Sequence, residues 1–232
     1  MNIWHDISAD RIKKDDFIAV VEIEKGGTNK YELDKATGLL RLDRVLYTAT
    51  HYPANYGFIP RTYAGDGDPL DVLVICQEKI VPLTLVECYP IGVMLMTDND
   101  DLDEKIIAIP KSDPFLKNCK DIKDLPEQYS AEIMHFFEVY KQLEDKKTEV
   151  KEMLGREEAE KIIEYSEDAK IAQQAAIDFL MPVLKEMGID AQISGKMEEE
   201  DVLLLDIAGE GLGVIIGKRG NTLDSLQYLT AL

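Results

Sequence analysis

Basic residues are in short supply: 26 Lys and Arg stand against 45 Asp and Glu, for a net charge of -19. That deficit opposes non-specific binding to nucleic acid or to an anionic membrane, and it attracts cations. Histidine and cysteine each occur only three times. His5, His51 and His135 are far apart in the chain, so packing or surface roles are expected of them rather than metal binding. Cys76, Cys88 and Cys119 are odd in number and widely spaced, as expected of reduced structural thiols in a cytosolic protein. No apolar run approaches membrane-spanning length, and the start Met-Asn-Ile-Trp-His-Asp lacks the basic-then-apolar layout of a secretory signal. A cytoplasmic protein with no membrane partner is therefore expected. Glycine and proline are both missing between Arg156 and Met181, which excludes a flexible linker there. Apolar or small residues at Ala159, Ile162, Ile163, Ser166 and Ala169 lead at helical spacing into Ala172, Ala176, Phe179 and Leu180. One continuous helix is expected over this stretch, kinked or ended by Pro182.

What the chain does have in its first two thirds is a run of short strand patterns. Residues 17–24 form one, ended by the turn at Gly26-Gly27-Thr28-Asn29; a second carries Lys30 to Leu33, and a third runs from Leu39 to Tyr47. Further strands are expected at 72–76, 85–95 and 105–109. Turn signals every 8–12 residues suggest a small closed barrel rather than a βαβ sheet. Pro126 then opens a helix over 126–143 with the stripe Tyr129, Ile133, Phe136, Phe137 and Tyr140. From Gln142 to Lys170 charge dominates, which reads as a solvated helix face.

The stretch with the most chemistry is Gly65-Asp66-Gly67-Asp68-Pro69-Leu70-Asp71, directly ahead of the strand pattern Val72-Leu73-Val74-Ile75. Three carboxylates on a stiff turn are compatible with neutral pH only if cations neutralise them or some stay protonated. Oxygen-only ligands favour a hard cation such as Mg²⁺ or Mn²⁺ over zinc. An EF-hand is excluded, because counting from Asp66 puts Asp71 at its glycine position and Gln77 at its closing glutamate. Other charges converge in type. Glu22 and Glu32 interrupt strands, Lys30 shares a face with Glu32, and Arg44 lies in the third strand. Tyr52-Pro53-Ala54-Asn55-Tyr56-Gly57 reads as a rigid aromatic loop, and Asp98-Asn99-Asp100-Asp101-Leu102-Asp103 is a second acidic cluster ahead of Lys105. Each alone is more often a solvated charge. Together they supply acids for metals and Lys, Arg and Tyr donors for phosphate oxygens.

Asp-Gly-Asp-Pro-Leu-Asp followed by Val-Leu-Val closely resembles the signature of the soluble family I inorganic pyrophosphatases, and the similarity extends over about residues 1–169. The resemblance implies an OB-like closed β-barrel with flanking helices and hydrolysis of inorganic pyrophosphate by a metal-activated water. It implies that Asp66, Asp71, Asp98 and Asp103 bind Mg²⁺, with Glu22 and Glu32 lining the same cavity. It implies that Asp68 is the catalytic carboxylate held against the nucleophilic water. Lys30, Arg44, Tyr56, Lys105, Tyr140 and Lys141 match the groups around the two phosphates. The implied substrate is pyrophosphate as its magnesium complex, and a homo-oligomer is expected. Asn99 departs from the pattern, standing where bacterial members often have a glutamate.

The remaining segment, 170–232, has a different character. After Gly188 come two short strand patterns, 189–194 and 202–207, and then a glycine-rich run ending in Gly217-Lys218-Arg219-Gly220. A phosphate-binding P-loop would need glycine at 212 and Ser or Thr at 219, where Leu212 and Arg219 stand. Gly-Lys-Arg-Gly instead fits the Gly-x-x-Gly loop of KH domains, which clamps a nucleic-acid backbone. With Asn-Thr-Leu-Asp-Ser-Leu-Gln-Tyr-Leu behind it, the loop resembles the KH domain of the bacterial Jag proteins, which bind RNA. The sequence stops at Leu232, inside the helix expected after the loop, so the expectation is an α/β KH-like segment lacking its last strand. Residues 171–232 carry ten acidic residues against four basic ones, so RNA binding through Gly217, Lys218, Arg219 and Gly220 is expected to be weak or absent. A small α/β appendage or oligomerisation piece accounts for the segment equally well. The whole chain thus reads as α+β, a hydrolase domain at 1–169 and a partial KH-like domain at 170–232. The competing function is an RNA-binding protein with an inactive barrel as scaffold.

Overall fold

A computed structural model of the chain describes residues 7–34, 37–64, 68–99, 101–144, 147–198 and 202–209. It divides into two compact units between Glu167 and Asp168. In the first unit the strands are β1 (Ile12–Lys13), β2 (Asp16–Ile23), β3 (Asn29–Leu33), β4 (Leu40–Val45), β5 (Asn55–Phe58), β6 (Asp71–Val74), β7 (Leu85–Asp98) and β8 (Asp101–Pro110). The helix α1 (Glu127–Val139), the strand β9 (Thr148–Gly155) and the start of α2 (Arg156–Glu186) follow.

One sheet has the order β1-β2-β5-β6-β8-β7-β9, and β2 also pairs with β7. Strands β2, β5, β6, β8 and β7 therefore close a ring, the barrel expected of an α+β chain of short strands. Closure removes the unpaired sheet edges that a short open sheet would expose. β6 and β8 run parallel and the other partners antiparallel. β3 and β4 form a separate hairpin. Because the barrel is covered, apolar residues on both faces of its strands are buried. Ile106 and Ala108 of β8 join a cluster with Phe17, Val20, Val72 and the α2 residues Ala159 and Ile163. Ile107 and Ile109 join the other cluster, with Tyr56, Leu73, Met94 and the α1 residues Ile133, Phe136 and Phe137.

Two elements differ from the sequence reading. Asn55–Phe58, expected as loop, is the central strand β5. Its entry is fixed by the buried Asn55 side chain, which accepts N–H bonds from Lys25 at 3.0 Å and Ile80 at 2.8 Å and donates to the Glu78 carbonyl at 3.1 Å. Thr148–Gly155, expected as part of a charged helix, is the edge strand β9 on β7. Val150 and Met153 pack on the core while Glu149, Lys151 and Glu152 face solvent. That density of charge is what an edge strand uses to resist unwanted pairing, and it imitates a solvated helix in sequence.

In the second unit α2 continues to Glu186 with Pro182 inside it, so the expected long helix is present. Its Leu180 and Leu184 pack with Ile189 and Ala191, supported by Leu205 and Ile207. Strands β10 (Ala191–Glu198) and β11 (Val202–Gly209) pair antiparallel, Ala191 opposite Gly209. The Gly217-Lys218-Arg219-Gly220 loop lies outside the described residues. Among the described residues no helix is long and apolar enough to cross a membrane.

Candidate active site

Several elements of the first unit bring their acidic and basic side chains to one cavity of about 220 Å³. Asp71 opens β6 and is the register partner of Lys105 on the parallel strand β8. On β8 the period-two alternation sends Asp103 to the same face as Lys105. β7 presents Asp98 to that face as well, since Asp98 pairs with Asp101 and Met96 with Asp103. At this turn Asn99 adopts φ 52°, a left-handed conformation that asparagine tolerates and glutamate disfavours. Asparagine therefore suits the backbone at this turn.

Glu22 reaches the cavity for a different reason. The β2–β5 register shifts between Val21 and Ile23, which leaves Glu22 as the extra residue of a bulge. A bulge re-aims a side chain that a regular strand would hold elsewhere. The Glu22 carboxylate accepts the Leu33 N–H at 2.7 Å. Burial pushes its pKa up to about 8 despite that bond, with Asp71 and Glu32 adding to the rise. Lys30 and Glu32, two residues apart on β3, form an ion pair at 2.7 Å.

The centre of the site is Lys105, only 2% exposed. Its Nζ donates to Asp71 at 2.6 Å and to both Asp103 oxygens at 2.8 and 2.9 Å. It also lies 3.4 Å from the Tyr56 hydroxyl and over the Tyr56 and Phe137 rings, 5.7 and 5.5 Å from their centroids. Burial alone would lower the Lys105 pKa, but Asp71 and Asp103 more than offset it and hold the ammonium above its ordinary range. Burial raises the Asp103 carboxyl against the opposing charge of Lys105. Lys141, just beyond α1, donates to Asp98 Oδ2. Asp98 Oδ1 is buried with no hydrogen-bond partner. Burial also raises Tyr52, Tyr56 and Tyr140, so that all three remain phenols able to donate at neutral pH.

Of the residues singled out in the sequence, Glu22, Lys30, Glu32, Tyr56, Asp68, Asp71, Asp98, Asp103, Lys105, Tyr140 and Lys141 line this cavity. Asp66 lies outside the described residues. Arg44 is not among the lining residues. Its guanidinium is taken up by Asp43 at 2.5 Å and Glu144 at 2.8 Å. Sequence reasoning missed Tyr52 and Phe137 as cavity residues. Both had a signal: Phe137 precedes Tyr140 by one helical turn on the apolar stripe of α1, and Tyr52 opens the aromatic segment that ends in Tyr56. Tyr52 packs between Tyr56 and Phe136, with centroids at 5.4 and 4.8 Å.

A family model described as inorganic pyrophosphatase matches residues 19–170. This chain belongs to the inorganic pyrophosphatase family. The soluble inorganic pyrophosphatase of Oryza sativa subsp. indica is 48% identical over 165 residues, covering 71% of this chain and 77% of that protein. Soluble inorganic pyrophosphatase 2 of Chlamydomonas reinhardtii is 47% identical over 163 residues, 70% of this chain and 85% of its own length. Among solved structures, the Helicobacter pylori inorganic pyrophosphatase superposes with a TM-score of 0.69 at 42% identity, over 72% of this chain and 99% of that one. The Thermus thermophilus inorganic pyrophosphatase gives 0.66 at 37% identity, over 72% and 95%. A second family model, the KH domain of KhpA/KhpB, matches residues 173–232. The family is metal-dependent, and the donors in the cavity suit a metal in kind, being carboxylate oxygens with one buried oxygen unpartnered. Among the described residues no three His, Cys, Asp or Glu side chains are gathered closely enough to hold a metal by themselves. Lys105 stands between Asp71 and Asp103, and Lys141 against Asp98.

Proposed function

We propose that the chain hydrolyses inorganic pyrophosphate to two phosphates, with residues 1–169 as the hydrolase domain and 170–232 as a KH-like domain. The observation that carries this reading is the gathering of Asp71, Asp98 and Asp103 with Lys30, Lys105 and Lys141 in one cavity. A polyanion needs both kinds of charge around it, acids to bind metal and cations to bind its phosphates. The all-oxygen donor set fits a hard divalent cation. Asp71, Asp98 and Asp103, together with Asp66, would hold it, with Glu22 and Glu32 alongside; we take it to be Mg²⁺, with Mn²⁺ as the alternative. Metal at these carboxylates supplies charge neutralisation and a lowered pKa for a neighbouring water.

In this reading Asp68 takes the proton from the attacking water. The water oxygen bonds to one phosphorus as the bond to the bridging oxygen breaks, and the bridging oxygen leaves with its electron pair on the second phosphate. Lys30, Tyr56, Lys105, Tyr140 and Lys141 donate to the phosphate oxygens, and these bonds strengthen as negative charge builds on the leaving group. Arg44 is the remaining phosphate donor. The acidic cavity repels free pyrophosphate, so the substrate is its magnesium complex. Phosphate release from magnesium pyrophosphate tests the reading directly; full activity in excess chelator, or none with metal, would overturn it. We also take the protein to be cytoplasmic and homo-oligomeric, which cell fractionation and sedimentation of the full chain would check.

The KH-family match supports a second reading, RNA binding with the barrel as scaffold. The cavity's near-complete set of acids and phosphate donors favours hydrolysis, because a scaffold has no use for buried, mutually opposed charges.

A further inference from the structure

We propose that Glu144 is a positioning residue that competes with phosphate for Arg44, holding the guanidinium out of the cavity until substrate displaces it. The inference rests on the reading of Arg44 as a phosphate ligand. Arg44 is the cross-strand partner of Lys30 in the β3–β4 hairpin, so the two side chains leave the hairpin on one face. Lys30 lines the cavity, while Arg44 does not. The register shift between Lys30 and Tyr31 leaves Asp43 as the extra residue on β4, and Arg44 Nη1 donates to this neighbour at 2.5 Å. Glu144 comes from another part of the chain, one turn past Lys141, whose carbonyl accepts the Glu144 N–H at 2.9 Å. Its Oε2 lies 2.8 Å from Arg44 Nε, so the contact joins the hairpin to the wall that carries Tyr140 and Lys141.

This contact is poorly satisfied. Arg44 Nε lacks the alignment of a hydrogen bond, Nη2 is buried with no acceptor, and Glu144 Oε1 is buried with no donor. A matched arginine–carboxylate pair would use two parallel bonds, and buried groups without partners are costly. A guanidinium flanked by two carboxylates also carries net negative surroundings, which oppose an approaching phosphate until one carboxylate yields. Asp43 is tied to Arg44 by the chain itself. Glu144 is the partner free to leave, with the exposed residues Gln142 and Leu143 beside it. A phosphate oxygen would satisfy Nη2 and Nε together, and Glu144 would regain water. The exchange makes closure of the phosphate site depend on breaking the link between hairpin and wall.

The test compares the full chain with Glu144→Gln, Arg44→Ala and the double variant, all with Mg²⁺ present. The measurements are KM for magnesium pyrophosphate, kcat, the competitive inhibition constant of inorganic phosphate, and the rise in melting temperature that phosphate induces. Glu144→Gln is expected to lower KM and the phosphate inhibition constant together by about fivefold, as one competing carboxylate charge is removed, with no gain in kcat. Phosphate should raise its melting temperature more than that of the parent. In the Arg44→Ala background the same substitution should change neither constant. Should Glu144→Gln fold poorly, Glu144→Asp keeps the charge but shortens its reach and should give a smaller fall of the same sign. An unchanged or raised KM in Glu144→Gln, or a gain that persists without Arg44, would overturn the competition. Arg44→Ala with unaltered KM and phosphate inhibition would instead overturn the role of Arg44, leaving that outcome distinct.

Discussion

The Glu22 carboxylate accepts the Leu33 backbone N–H at 2.7 Å, a bond that crosses from the closed barrel to the separate β3–β4 hairpin. Burial is the main reason its pKa is pushed up to about 8 from an ordinary 4.5. The folded protein then holds a proton at Glu22 that the unfolded chain releases between those two values. Its contribution to stability is full below pH 4.5 and is lost as pH rises toward about 8, at most about 1.4 kcal/mol per pH unit. Glu22→Gln keeps an acceptor for Leu33 and removes the titration. Urea denaturation in chelator at pH 5.5 and 8.5 should show the parent losing stability across the interval relative to this variant. Equal pH dependence in both proteins would contradict the buried proton.

Gly57 on β5 sits opposite Val21 of β2, and a Cβ added there would lie 1.8 Å from the Val20 carbonyl oxygen. The obstruction is backbone, which cannot swing aside as a side chain can. Gly57→Ala should therefore cost more than about 4 kcal/mol or prevent folding. Gly188 is the contrast: its φ is +74°, but nothing lies within 4 Å of an added Cβ. Gly188→Ala should cost only the left-handed penalty, about 1–2 kcal/mol. Similar melting temperatures for the two variants would refute the packing argument.

The same glycine shows why part of the fold was illegible in sequence. Asn55-Tyr56-Gly57-Phe58 follows a proline and contains a glycine, the local marks of a loop. It is a strand because β2 approaches too closely for any side chain at 57 and because Asn55 binds groups distant in sequence. The apolar runs of β2, β6 and β8 were readable because burial on both faces leaves an unbroken β-branched signal. Most of the cavity was readable for a related reason, since its charged residues interrupt or flank that signal. Glu22 is aimed by a bulge, a matter of register that no local pattern reports. The capture of Arg44 by Glu144 was equally hidden, because the partners belong to segments that meet only in the fold.

Asp68 lines the cavity and is exposed, while its backbone carbonyl accepts the Ala64 N–H at 2.8 Å. The side chain thus faces the cavity, where a carboxylate can take a proton from water. Asp68→Asn should lower kcat by about 10²–10⁴-fold, the usual worth of a general base, with the circular dichroism spectrum and melting temperature preserved. A variant as fast as the parent would remove Asp68 from the mechanism.

Lys218 and Arg219 are the two cations placed by sequence to meet a phosphate backbone, and Asp206, Glu210 and Asp224 surround them in the chain. Non-specific affinity comes mainly from phosphate neutralisation, so two cations among three acids should give little. Titration of single-stranded RNA at physiological salt should show no submicromolar binding. Tight binding abolished by Lys218→Asp/Arg219→Asp would establish the loop as a working clamp and defeat the charge argument.

Lys105 gives the sharpest test of how the site manages its own charge. Its ammonium is the only counter-charge shown within hydrogen-bond distance of both Asp71 and Asp103 among the described residues. Lys105→Met keeps the aliphatic stem against Tyr56 and Phe137 and deletes the charge, leaving two facing carboxylates uncompensated. In chelator this should cost about 3–5 kcal/mol, the usual effect of breaking a buried pair from one side. A divalent cation that binds the freed carboxylates should restore part of the loss, because its binding free energy is added to the folded state only. The parent gains less from the same cation, since its carboxylates already have Lys105. Urea denaturation of both proteins with chelator and with Mg²⁺ measures the difference directly. If Mg²⁺ stabilises the variant no more than the parent, the carboxylates around Lys105 are not where the metal binds.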